Sequence, residues 1–309
     1  MVWGRWMRAP QTLWMRRAIF QIHLWTGIGI GLYLLVICLT GSVLVYRNEL
    51  YRTFSPEPVI VVGSGESLTP EALTAAARRV YPDDEVTNVR MGDTPNHAVE
   101  ISLGGGGDRM RRLFHPFTGE DLGDPLPVGF RATAWMLDLH DNLLGGRTGR
   151  QANGIGALFF IVLAFTGAVI WWPGIRSWRR SLIPDLHANW RRLNWSLHSA
   201  FGIWVMPFVL IWGVSGVYLA FPEVFQSVVD YFDPFDPTDP VDRLGDRVLY
   251  WLAYLHFGRL GGRGIPGCDR GLCHDMTMAV WAIVALVPPT LLVTGVVMWW
   301  NRVVRRAPQ

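Results

Sequence analysis

The 309-residue chain contains no lysine; all 28 of its basic residues are arginine. Chemistry that needs a lysine amine, such as a Schiff base or the phosphate-gripping lysine of a P-loop, is therefore excluded. Cysteine is scarce as well, and three thiols cannot build a disulfide scaffold. Charge is thin: 17% of residues are charged, against about 25% in an ordinary soluble domain. Half of the residues are hydrophobic and the net charge is only +3, which excludes disorder, coiled coil, collagen and a nucleic-acid-binding face. No zinc-ligand spacing, Walker loop or Ser-His-Asp pattern occurs. Gly27-Ile-Gly-Ile-Gly31 lies inside an apolar run, not between a strand and a helix as a dinucleotide loop must.

What the chain has is long apolar runs. A membrane span needs about 20 mostly apolar residues, and four stretches supply them: 24–46, 154–172, 197–221 and 276–300. None carries Asp, Glu or Arg in its middle. The first is too long for a cleaved signal peptide and lacks a small-residue cleavage site after it. Arginines near the span ends set the orientation. Arg5, Arg8, Arg16 and Arg17 precede the first span; Arg176, Arg179, Arg180, Arg191 and Arg192 lie between the second and third; Arg302, Arg305 and Arg306 follow the fourth. The other two loops are acidic: residues 47–139 hold 14 Asp/Glu against 9 Arg, and residues 222–255 hold 7 against 2. Both termini are thus expected in the cytoplasm of a bacterium, with the large loop outside its inner membrane. Trp25, Trp171, Trp172, Trp299 and Trp300 stand at span ends, where indole favours the lipid–water interface.

The expected fold is a membrane all-α four-helix bundle, built as a duplicated two-helix hairpin, with a small periplasmic α+β domain inserted between spans one and two. Residues 1–46 hold the cytoplasmic N-terminal segment and span one, and 47–127 the periplasmic domain. An interfacial helix and span two follow in 128–172, and a cytoplasmic loop in 173–196. Span three is 197–221, a periplasmic loop 222–275, span four 276–300 and the cytoplasmic tail 301–309. In the inserted domain Thr69 reads as an N-cap with Pro70 at the first helical position and a helix through Val80. Residues 86–90, 98–103 and 111–115 alternate as three strands, with a glycine tip at 104–107.

The duplication is legible residue by residue. His23 is followed by Gly27 and Gly41, and His198 by Gly202 and Gly216, at the same intervals of four and eighteen. Eighteen residues are about five helical turns, so each histidine and its glycines share a face of a straight helix. Ahead of spans two and four, Trp135…Leu139-His140…Leu144-Gly145-Gly146-Arg147 matches Trp251…Leu255-His256…Leu260-Gly261-Gly262-Arg263. Both spans end on Thr-Gly-x-x-x-Trp-Trp, at Thr166–Trp172 and Thr294–Trp300. Parallel repeats of this kind pair His23 with His198 near the cytoplasmic side and His140 with His256 near the outer side.

A single histidine at a span end is ordinarily an interfacial polar residue, and glycines at such spacing ordinarily serve helix packing. Four histidines with matched flanks at two depths favour another use: two facing imidazoles across a bundle are what axial ligation of haem iron needs. On that reading His23, His198, His140 and His256 ligate iron. Gly27, Gly41, Gly202 and Gly216, with Gly167 and Gly295, leave room for a flat macrocycle. Arg16, Arg17, Arg191, Arg192, Arg147 and Arg263 are available to haem propionates. His97 and His115 read as surface residues of the inserted domain, and His187 as a loop residue. Cys38 reads as core. Cys268…Cys273-His274 has two readings: a disulfide in an oxidising compartment, or a covalent haem site as a variant of Cys-x-x-Cys-His.

These residues carry a resemblance. The His23…Thr40-Gly41 span, the outer segment ending in His115-Pro-Phe-Thr-Gly-Glu120, the two Leu-His…Gly-Gly segments and the two Thr-Gly-x-x-x-Trp-Trp ends make nearly the whole chain resemble the PepSY-associated transmembrane helix family. That family includes inner-membrane reductases of iron-loaded siderophores. The resemblance implies two b-type haems held by histidines between four helices, and electrons moving outward to a periplasmic acceptor, a ferric chelate or a protein. No flavin or nicotinamide domain is present, so a cytoplasmic protein or quinol would be the donor. Two features depart from the pattern: His115 stands where the family's Asp-Pro-x-Thr-Gly-Glu ending has Asp, and the Cys268–His274 insertion is unusual. Two other readings stay open: a haem-containing relay subunit of a larger membrane complex, and a non-enzymatic PepSY binding or regulatory module anchored by its spans.

Overall fold

The computed structural model describes residues 6–8, 10, 13–63, 66–105, 108–235, 243–261 and 265–303. Arg5, Gly262, Arg263, Arg305 and Arg306 lie outside the described residues. The chain divides into two compact units, one made of residues up to Tyr46 and from Trp135 onward, the other of Arg47–Ala134.

The first unit opens with α1 (Trp14–Gly29) and α2 (Gly31–Leu44). A continuous span over 24–46 is not what forms: the two helices meet at a 64° bend. Ile30, at φ −105° and ψ 8°, leaves the helical region between Gly29 and Gly31. Glycine propagates a helix poorly, and Gly31 has a packing reason to be glycine: a Cβ there would come within 2.5 Å of Leu292 Cδ1 on the fourth span. The bend also corrects the single-face argument, since His23 and Gly41 are not on one straight helix.

The second unit begins with α3 (Arg47–Thr53) and α4 (Pro70–Val80). Thr69 caps α4 by accepting a bond from Ala72 N at 3.3 Å, and Arg78 and Arg79 sit in the last turn where cations suit the helix dipole. Strands β1 (Glu85–Arg90), β2 (Val99–Gly105), β3 (Asp108–Phe114) and β4 (Asp121–Gly123) form an antiparallel meander in that order. Val99, Ile101 and Leu103 alternate onto one face of β2, and with Phe114, Leu73 and Ala77 they form a core with almost no exposure. Burying each larger side chain contributes about 1.5–3 kcal/mol. The fourth strand is an addition to the three expected. Its three residues are too short for an alternation pattern, and side chains hold it: Arg112 Nη2 and Tyr81 Oη both donate to Asp121 Oδ2, at 2.6 Å and 2.5 Å. His115 is half-buried, and its Nδ1 accepts from the Phe117 and Thr118 amides, each at 3.3 Å. An aspartate oxygen would accept the same bonds, which is why histidine can stand there.

The unit boundary falls inside α5 (Val128–Asn142). Next come α6 (Gly146–Trp171), α7 (Trp190–Ala220), α8 (Pro222–Phe232), α9 (Leu244–His256), α10 (Leu272–Val284) and α11 (Val287–Val303). Among the described residues three stretches, α6, α7 and Leu272–Val303, are long and apolar enough to cross a membrane, and α1 with α2 makes a fourth if the bent pair is one span. The pause between α10 and α11 precedes Pro288 and Pro289, which have no N–H to return to the carbonyls of the preceding turn. Around the first unit α1 packs on α6, α6 on α7, α7 on α11, and α11 back on α2. The outward faces are apolar: Leu32 is 74% exposed, Trp204 63% and Ile283 65%. Such continuous apolar cover suits lipid rather than water.

Candidate functional site

All four repeated histidines are half-buried in the first unit. His140 and His256 come together, with ring centroids 6.3 Å apart and planes inclined by 62°. For these two the pairing read from the repeat is the pairing in space.

Each imidazole Nδ1 meets a hydroxyl on the other span of its own hairpin. His23 Nδ1 is 3.0 Å from Thr166 Oγ1, and His140 Nδ1 is 3.0 Å from Thr40 Oγ1. In the second hairpin His198 Nδ1 is 2.9 Å from Thr294 Oγ1, and His256 Nδ1 is 2.7 Å from Ser215 Oγ. The four hydroxyls donate their only proton backward along their helices, to the carbonyls of Val36, Val162, Ile211 and Thr290, at 2.5–3.0 Å. They are left as acceptors toward the rings, so each Nδ1 is the donor. At His140 a carbonyl, which only accepts, requires the same proton placement: Nδ1 is 3.0 Å from Ile37 O. With the proton on Nδ1, Nε2 is the ring nitrogen that could serve a metal.

Three of the glycines that follow the hydroxyls lie against the imidazoles. A Cβ at Gly41 would lie 2.9 Å from His140 Cε1, at Gly167 3.2 Å from His23 Cε1, and at Gly295 3.4 Å from His198 Cε1. They make room for the imidazole ring beside its own hydroxyl. Gly216 departs from this, with Ala157 as its neighbour at 3.2 Å, while Ser215 before it holds His256. Gly202 has open space at its Cβ position, and Gly27 meets only Leu163 Cδ2 at 3.7 Å.

Two more residues support the outer pair and were not singled out in the sequence. Asn153 Nδ2 donates to His140 O at 2.7 Å and to Asp141 O at 3.0 Å, tying the end of α5 to the second span. Trp281 Nε1 donates to Leu255 O at 2.7 Å, tying the end of α9 to the fourth. Both stand thirteen residues before the hydroxyl of their span, Thr166 and Thr294. Their partners also correspond: Tyr33 donates to Asn153 Oδ1 at 2.7 Å, and Phe208 packs edge-on against Trp281 at 5.4 Å, each ten residues after its inner histidine. The turn after α5 is strained, since Leu143 and Leu144 take φ of 52° and 59°.

The arginines divide. Arg147 is exposed at the start of α6. The Arg16 guanidinium bonds the carbonyls of Ile170 and Trp172 at the end of α6. Arg192 pairs with Asp185. Cys268 and Cys273 are joined in a disulfide, which leaves neither sulfur for a thioether to haem, and Cys38 is a buried free thiol.

Among the described residues no group of three or more His, Cys, Asp or Glu could hold a metal ion. Paired histidines alone do not suit a structural zinc ion, which takes four ligands. They do suit a metal that brings its equatorial ligands with it. Two metal–imidazole bonds of about 2.0–2.1 Å, with about 1.1 Å from ring centre to ring nitrogen at ordinary C–N bond lengths, place the two centroids about 6.3 Å apart. The observed His140–His256 distance fits that requirement.

No curated protein matches the chain. The PepSY-associated TM region family matches residues 20–240 and 233–302. The chain belongs to that family of membrane proteins, the PepSY-associated TM region family.

Proposed function

We propose that this protein is a di-haem b oxidoreductase of the bacterial inner membrane, moving electrons across it to a periplasmic acceptor, with a ferric siderophore favoured. The observation that carries the reading is the His140–His256 pair, 6.3 Å apart with both Nδ1 atoms engaged elsewhere. His140 and His256 would hold the outer group, and His23 and His198 the inner one. When bound, haem would supply one-electron chemistry, and with both histidines of a pair holding it, substrate reduction would be outer-sphere rather than bond-making at the metal.

The chain's own contribution is placement and insulation. The four spans are read as a bundle around the two histidine pairs, with apolar side chains toward lipid. The arginine-rich segments at both ends and between spans two and three support a cytoplasmic side for these, and the acidity of the 47–127 domain supports the outer side for it. Arg147 is exposed beside the outer pair's helix, where a guanidinium can meet a propionate. A cytoplasmic protein or quinol would be the donor.

Selective loss of haem tests this reading. His140→Ala or His256→Ala is expected to remove one of two haems, and His23→Ala or His198→Ala the other, with spectrally distinct remainders. Equal loss of both haems in every variant, with the fold intact by circular dichroism, contradicts two separate sites.

A further inference from the structure

The four hydroxyls that meet the histidines recur at corresponding places in both hairpins, twice before a glycine in each. Back-bonding of a Ser or Thr to a carbonyl one turn earlier is ordinary in helices and needs no further partner. It does not account for the same second contact being made four times, always to Nδ1, at 2.7–3.0 Å. We propose that Thr40, Thr166, Ser215 and Thr294 are positioning residues that lower the reduction potentials of the two redox centres by holding each histidine as its Nδ1–H tautomer. This rests on the bis-histidine reading above and adds to it a role for residues that touch no substrate and no iron.

The sign follows from charge. An acceptor on Nδ1–H draws that proton toward itself and leaves the ring richer in electrons. A more basic imidazole stabilises Fe(III) more than Fe(II), so the bond lowers the potential. Each hydroxyl also donates to a backbone carbonyl, which polarises its oxygen and makes it a better acceptor. The pull is moderate, because a hydroxyl is neutral where a carboxylate would be charged. The arrangement is also reciprocal: each hairpin lends one imidazole to each pair and supplies both hydroxyls that orient its own. One hairpin therefore carries half of each site complete with its support.

The test is a potentiometric titration of the purified full-length protein, followed by visible absorbance, in wild type, Thr166→Val, Thr294→Val, Thr40→Val, Ser215→Ala and Thr166→Ser. Removing an outer-sphere partner typically changes a metal site by tenfold or more, and a tenfold change in the ferric-to-ferrous ratio is about 59 mV for one electron. Thr166→Val and Thr294→Val are expected to raise the potential of one haem by up to this amount and leave the other unmoved. Thr40→Val and Ser215→Ala are expected to do the reverse. Thr166→Ser keeps the acceptor and is expected to keep the wild-type value. Loss of one haem in Thr166→Val that Thr166→Ser restores also supports the assignment. Full haem content with unmoved potentials in the Val and Ala variants overturns it, while leaving the histidine ligation intact. Absence of haem from the wild type overturns the reading beneath it, a result distinct from the last.

Discussion

Thr40 and His140 form one structural unit: the hydroxyl meets Nδ1 at 3.0 Å, and Gly41, the next residue, leaves the space that the ring's Cε1 fills. A methyl group at Gly41 would stand 2.9 Å from that carbon, and the ring cannot swing aside without leaving its hydrogen bonds. Gly41→Ala is therefore expected to cost about 1–3 kcal/mol through overpacking and to loosen the outer group first. Gly29→Ala, at a helical position with nothing within 4 Å, is expected to be neutral or to stabilise by up to about 1 kcal/mol. Haem content and thermal midpoints of the two variants, measured side by side, check this. A Gly41→Ala protein as stable and as haem-rich as Gly29→Ala would contradict the close fit.

The donors on spans two and four predict a second contrast. Trp281→Phe keeps the edge-on packing surface for Phe208 but removes the N–H that Leu255 O accepts. Leu255 O keeps its bond from the Gly258 amide at 3.3 Å, so the loss is expected to be about 0.5–1.5 kcal/mol, that of one ordinary hydrogen bond. Asn153→Leu strands two carbonyls and leaves the Tyr33 hydroxyl only its bond to the backbone carbonyl of residue 153, and is expected to cost more. Hydrogen exchange should show the loss at the ends of α9 and α5 respectively. Unchanged protection there would mean that the helices are held by packing alone.

Acid should act on the 47–134 unit through Asp121. Burial alone would raise its carboxyl, but bonds from Arg112, from Tyr81 and from the Gly123 amide outweigh it and hold the group below the usual carboxylate range. A depressed carboxyl stabilises the fold fully above the unfolded value of about 3.9, and that contribution is lost as pH falls through the lower folded value. Asp121→Asn is expected to cost roughly 1.5–3 kcal/mol at neutral pH, in line with charged hydrogen bonds, and to flatten the acid transition of this unit. Exchange protection of β3, followed from pH 7 to pH 3 in both proteins, reads both effects. An acid transition in Asp121→Asn as steep as in wild type would assign it to another group.

The disulfide gives a chemical prediction. With Cys268 and Cys273 bonded to each other, no haem is attached through sulfur, and acid–acetone is expected to extract all of it. Reduction is expected to cost about 2 kcal/mol at most, because the loop closed by a separation of five residues is short. Haem that stays with the protein after extraction would point back to a covalent site at these cysteines.

The sequence revealed the repeats because the histidines, glycines and tryptophans recur with the same letters, and that was enough to pair His140 with His256. It hid Asn153 and Trp281, because the two halves use different side chains for one task at one position. The bend at Ile30 was not legible either: Gly27, Gly29 and Gly31 read equally well as helix packing, and only the approach of Leu292 shows why Gly31 sits at a break. The Thr-Gly pairs were visible, but their glycines read as room for a macrocycle until the imidazole positions were known. β4 is too short for its three residues to show a period, and its place is set by the Arg112–Asp121 bonds across sequence.

The most direct measurement is a dithionite-reduced minus oxidised absorbance spectrum of the protein purified from haem-replete membranes, with a pyridine haemochrome assay for stoichiometry. The account predicts a b-type spectrum and two haems per chain. A folded protein that carries no haem under these conditions would contradict it, and would leave the four histidines as packing residues of a membrane-anchored binding module.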